Sequence, residues 1–159
     1  MRIRRLTQLG LGLVLGLMLF GCASLEPAQQ DPPQEVLSKS MPDGSIRYDT
    51  EDPRLAQLWA AAEQARIEQK PAQALEHIYD ALEISPTNSL LWSRAAELQL
   101  EGDEALQAEN FAFKSNLYAG NNSALLLRNW MIIEHARSLR GDLLGVRSAH
   151  KKVQQYQYN

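Results

Sequence analysis

Residues 58–86, LWAAAEQARIEQKPAQALEHIYDALEISP, carry the pattern that decides the fold. Small and apolar residues recur at three- and four-residue steps: Leu58, Ala61, Ala62 and Ala65, then, after Gln69-Lys70-Pro71, Ala74, Ile78, Ala81 and Leu82. That spacing keeps one face of an α-helix apolar. Pro71 suits the first turn of the second helix, where its missing N–H costs nothing. Ser85-Pro86 stops it, because the residue before a proline is pushed out of the helical region. The stretch therefore reads as two helices joined by a tight turn.

The same pattern returns in WSRAAELQLEGDEALQAENFAFKSNLYAG, residues 92–120. Leu58, Ala61, Ala62 and Ala65 fall on Trp92, Ala95, Ala96 and Gln99. Ala74, Ile78, Ala81 and Pro86 fall on Ala108, Ala112, Ser115 and Gly120. Most pairs keep their size class or their helix-breaking role. A helix–turn–helix unit with this period, about 34 residues, resembles the tetratricopeptide repeat. The likeness rests on the bulky first position at Trp92, the small pair Ala95-Ala96, the small residue opening the second helix (Ala74, Ala108) and the closing Pro86. The family commonly has a bulky aromatic where this chain has Ala65 and Gln99, so that layer must be filled from elsewhere. The small residues let paired helices approach closely.

A third unit follows with a longer connection. Trp130 and Ile133 take the places of Trp92 and Ala95 at a wider spacing, Gly141-Asp142 makes the turn, and Val146, Ala149, Val153 and Tyr156 make the inner face of the last helix. Glu134 and Arg137 replace the family's small and bulky residues, as a solenoid cap with a polar outer face allows. The expected fold is all-α: a short tetratricopeptide-repeat solenoid of about three helix–turn–helix units over residues 53–159, after a disordered arm.

The chain begins differently. Met1–Arg5 is basic and Leu6–Phe20 mostly apolar. That run is short for a bilayer span, which needs about 20 residues, and fits a cleaved signal over residues 1–21. It ends in Leu19-Phe20-Gly21-Cys22, which resembles the bacterial lipobox. The resemblance implies a diacylglycerol on the Cys22 sulfur, cleavage after Gly21 and acylation of the new amino terminus. A thiolate suits thioether formation, and two or three acyl chains hold a protein firmly. Ala23, in place of the aspartate that retains lipoproteins at the inner membrane, implies the periplasmic face of the outer membrane. Residues 22–52 hold Pro27, Pro32, Pro33 and Pro42 among polar residues and cannot bury enough surface to order themselves. They read as a lipid anchor and flexible spacer. Gly44-Ser45-Ile46-Arg47-Tyr48 is the one run there that could add a strand or a docking contact.

The 159 residues carry a net charge of −3. Without the three arginines of the signal, 13 basic residues face 19 acidic ones, a net of −6. Such a body does not suit nucleic acid, which calls for clustered Lys and Arg. No nucleophile–base pair, metal-type spacing or phosphate loop is legible, so the chain reads as a non-enzyme without cofactor or metal. His77, His135 and His150 lie far apart. Asn121-Asn122-Ser123 fits a glycosylation sequon but reads as a loop and helix cap.

The family resemblance implies that the first helices line a concave face where a protein partner lies. Its positions fall on Trp59, Glu63 and Arg66, on Ser93 and Glu97, and on Arg128, Met131 and His135. Trp59 adjoins the core residue Leu58 and is expected to point outward, either as an interface anchor or against the arm or the domain's N-terminal edge. The lysine–asparagine pair that clamps C-terminal carboxylates in some repeat proteins is absent here. Anchor, arm and short repeat domain together resemble the LpoP-type lipoprotein activators of class A penicillin-binding proteins. That resemblance implies a regulator of peptidoglycan synthesis, which acts on the periplasmic domain of a synthase. A pilotin-like or envelope-assembly scaffold and an adaptor for peptidoglycan hydrolases stay open.

Overall fold

Four polar side chains at helix starts set the frame of the structure, a computed structural model that describes residues 48–158. Asp52, Asn88, Asn122 and Asp142 each accept a hydrogen bond from the backbone N–H groups that open α1, α3, α5 and α6. These are the donors a helix cannot satisfy internally. The helices are α1 (Pro53–Ile67), α2 (Pro71–Ile84), α3 (Ser89–Glu101), α4 (Ala105–Tyr118), α5 (Ser123–Leu139) and α6 (Leu143–Gln157). The described residues contain no strand. The signal, Cys22 and the arm up to Arg47 lie outside the described residues.

Each unit turns from its first helix to its second in the same way. The backbone N–H of Lys70, Glu104 and Asp142 reaches back to the carbonyl of Ala65, Gln99 and Arg137 at 2.9, 2.8 and 3.0 Å. Such a reversal needs one left-handed residue, supplied by Gln69 (φ 59°), Asp103 (φ 63°) and Gly141 (φ 73°). Only the third turn uses glycine; the other two hold a conformation that costs an L-residue about 1 kcal/mol. All three turns have the same length, and so do the links between units, residues 85–88 and 119–122, so the longer connection expected with unit three is not there. Its additional residues extend α5, which has 17 residues against 13 in α3.

The helices pair within units, and α2 packs on α3, α4 on α5 and α3 beside α5. Small residues make this possible: Ala74, Ala95, Ala96, Ala108, Ala112 and Ala149 are fully buried. A backbone approach closed around alanine leaves no room for a longer side chain. At the Gln99 layer stands Tyr79, whose hydroxyl accepts a hydrogen bond from Gln99 Nε2 at 3.0 Å. Tyr79 meets Phe111 edge-on at 6.2 Å, and Phe111 meets Trp92 at 5.3 Å. One repeat later Phe113 meets Trp130 edge-on at 5.6 Å. Val146, Val153 and Tyr156 flank the buried Ala149 on the inner side of α6, as expected.

A neutral polar network ties α3, α4 and α5 together. Ser93 Oγ donates to Asn129 Oδ1 at 2.7 Å, and Asn129 Nδ2 donates to Ser115 Oγ at 2.7 Å and Asn116 Oδ1 at 2.9 Å. Ser115 Oγ in turn donates to the Ser89 carbonyl at 2.8 Å. Buried polar atoms are tolerated when bonded in this way. Among the described residues no helix is long and apolar enough to cross a membrane.

Candidate functional site

The first helices α1, α3 and α5 present one charged row. Arg66 Nη2 lies 3.2 Å from Glu63 Oε2, and Glu63 Oε1 lies 2.8 Å from Arg94 Nε. Arg94 continues to Glu97, and Glu97 Oε2 contacts Arg128 Nη2 at 2.5 Å. Four expected site residues, Glu63, Arg66, Glu97 and Arg128, are therefore brought together as one network. Its centre is a residue the sequence reading did not single out. Arg94 is 1% exposed, and its guanidinium lies 5.3 Å from the Trp59 ring centre. Burial lowers the Arg94 pKa, opposed by Glu97 and Glu63, yet an arginine stays charged at any working pH. A charge so placed is held only because carboxylates flank it. Glu101 sits at the end of the same helix face. Desolvation and then Glu97 push its carboxyl up.

Two expected site residues are not where the sequence placed them. Trp59 does not point outward; it is 7% exposed. Tyr48 covers it at a ring separation of 5.0 Å, and the Tyr48 hydroxyl accepts a hydrogen bond from Asn88 Nδ2 at 2.9 Å. Burial raises the Tyr48 pKa, against hydrogen bonds from Thr50 and Asn88 that lower it. Of the two readings open for Trp59, packing against the end of the arm is the one observed. Leu58, read as the core position, is only half-buried. Ser93 is fully buried in the Asn129 network and offers a partner no surface. Met131 and His135, on α5, are exposed.

The chemistry of this face is electrostatic. Among the described residues no group of three His, Cys, Asp or Glu side chains is placed to hold a metal ion. His150 Nδ1 lies 2.9 Å from Glu134 Oε1 and its Nε2 lies 3.1 Å from Gln154 Nε2. Those contacts orient the ring without placing a nucleophile beside it. Asn122 accepts from the Leu125 N–H, which confirms it as a helix cap.

Three helix pairs with matching turns and one network across their first helices define a tetratricopeptide-type fold. The Sgt2 tetratricopeptide domain from Aspergillus fumigatus shares it: TM-score 0.60 and 19% identity over 68% of this chain and 69% of that one. The globular C-terminal domain of P. aeruginosa LpoP matches with TM-score 0.61 and 26% identity over 68% of this chain and 99% of that domain. The architecture is thus of the LpoP type. No family model matches the chain, and no curated protein matches its sequence. Both structural relatives are non-catalytic helical-repeat folds.

Proposed function

We propose that this chain is an LpoP-type activator: a lipoprotein held at the periplasmic face of the outer membrane through Cys22, whose repeat domain binds and activates a class A penicillin-binding protein. The observation that carries the reading is the likeness to LpoP over 99% of that domain, joined to a signal and lipobox in the same chain. The neighbours support a protein-binding role in general; the identity of the partner is our inference. The exposed part of the expected face, Met131 and His135 with the rim of the Glu63–Arg94–Glu97–Arg128 row, is where the synthase would lie.

Activation in this reading needs no chemistry from the repeat domain. A synthase that exchanges between idle and active conformations is shifted by a ligand with higher affinity for the active one, and only by that difference. The mature chain, mixed with class A synthases from the same envelope, is expected to raise glycan polymerisation and peptide cross-linking. Met131→Glu should weaken that effect while leaving helicity unchanged. Absence of binding and of any rate change with every class A synthase would remove the proposal. Cys22→Ser should release the protein from membranes; continued membrane partition would place the anchor elsewhere.

A further inference from the structure

Both inner junctions of the stack use the same positions. Counted from the start of each second helix, the ninth residue reaches the next unit: Tyr79 of α2 meets Phe111, and Phe113 of α4 meets Trp130. The fifth residue does so too. Leu75 of α2 packs, partly buried, against the core cluster that joins units one and two, and Glu109 of α4 pairs with Arg137 at 2.7 Å and with Arg140, the residue just past α5, at 2.6 Å. The same count on α6 gives Arg147 and Lys151. Both are exposed, and neither bonds to a described residue.

The receiving surface is repeated as well. In unit two it is built around Trp92 and Phe111. Their counterparts one repeat earlier, Leu58 and His77, line a groove of about 750 Å³ between α1 and α2, whose charged lining is Asp80 and Glu83 against the single cation Arg54. No described residue fills that groove. The counterpart of Arg140, just past α1, is Glu68, an exposed side chain held by Lys70 and Gln64. The inner pair Glu109–Arg140 therefore has an outer counterpart with its signs exchanged, Arg147 and Glu68. Lys151, at the place of Tyr79 and Phe113, would enter the groove at Leu58 and His77, which Asp80 and Glu83 also line. The whole domain is polarised in the same sense. Residues 53–122 hold 5 basic and 10 acidic side chains, whereas residues 123–159 hold 6 basic and 2 acidic. Leu143 and Leu144, 71% and 77% exposed at the base of α6, add apolar surface to the basic end.

We propose that copies of this chain stack head to tail, with the outer face of α6 of one copy seated in the α1–α2 groove of the next. The contact continues the helix stacking across a molecular boundary. It is heterologous, so it forms open rows and not a closed dimer. One helix face on one groove is a small patch beside the ~800 Å² per partner of a stable complex. The rows therefore need the high effective concentration that a shared surface provides.

Two differently tagged full-length chains, one carrying Glu68→Cys and the other Arg147→Cys, are co-expressed, and membranes are treated with a short bis-maleimide. A chain without introduced cysteine reports any reaction at Cys22. The expected result is a heterotypic product at least tenfold above either homotypic one. Lys151→Glu in the Arg147→Cys chain should abolish it, and Asp80→Lys with Glu83→Lys in the other chain should restore it. Absence of the heterotypic product overturns the proposal. So does equal homotypic product, or indifference to Lys151→Glu. Synthase activation lost in Asp80→Lys while the parent chains give no heterotypic product would assign the groove to another protein and equally overturn it.

Discussion

The two inner junctions are built from opposite materials. Between units one and two lies a buried charge: Arg94, between Glu63 and Glu97 and beside Trp59. Between units two and three lies a neutral amide, Asn129, between Ser93, Ser115 and Asn116. Both are specific, but they fail differently. A buried ion pair returns little net stability when intact, because desolvation offsets its attraction, yet it is costly to half-break. A neutral hydrogen bond costs less to lose, since its orphaned partners carry no net charge.

Arg94→Met tests the charged junction and should have the largest effect. It removes the shared cation between Glu63 and Glu97, which keep only the partly exposed Arg66 and Arg128, so the loss should approach without exceeding the about 3–5 kcal/mol of a fully broken buried pair. The urea midpoint of the mature chain should fall accordingly. Adding Glu63→Gln and Glu97→Gln should recover most of the loss, because removing the whole network is far milder than removing its centre. A single variant as destabilised as the triple one would mean that Arg94 acts through packing on Trp59 alone. Asn129→Ala, the matching break in the neutral junction, takes a bond from each of its three partners and should cost about 1–3 kcal/mol. If it exceeded Arg94→Met, the contrast between the junctions would be reversed.

Tyr48→Phe reports on a third seam, where the end of the arm meets the domain. It removes the bond from Asn88 and keeps the ring on Trp59, so a loss of about 0.5–1.5 kcal/mol is expected. Tryptophan emission should hardly move, whereas Tyr48→Ala should shift it to the red by opening Trp59 to water.

These residues also mark where the sequence stopped being legible. The helix pairs, their turns and the small buried residues follow from the repeat period and from spacing along a helix. Unit three deceived the count because two registers are both true there. Asn122 and Leu125 match Asn88 and Leu91 at the period of the first two units, while Trp130 and Gly141 match Trp92 and Asp103 at a wider one. The difference is one helical turn inside α5, which periodicity cannot locate because a whole turn leaves the faces aligned. Trp59 read as outward because Leu58 had taken the core position, and nothing in α1 itself shows that Tyr48 covers the other side. Arg94 was not singled out for a similar reason: its partner Glu63 lies on another helix. The charged row on the expected face was legible residue by residue, but its closure around a buried arginine was not.

The smallest effect expected is at the open end of that row. The Glu101 carboxyl is raised by desolvation and by Glu97, with Arg66 and Arg94 pulling the other way. A carboxyl raised in the folded state binds its proton more tightly there than in the unfolded chain. The native form is therefore favoured at low pH, and that advantage is lost as pH rises from the ordinary glutamate range through the folded value. Glu101→Gln removes the charge that the folded state resists. Its melting temperature should exceed that of the parent slightly at pH 7, and most of the difference should be gone by pH 4, where the carboxyl is largely protonated. A difference that persists in full at pH 4 would assign the gain to packing. A lower melting temperature at pH 7 would show that Arg66 and Arg94 outweigh Glu97, and that the row extends to Glu101 as a member and not as its repelled neighbour.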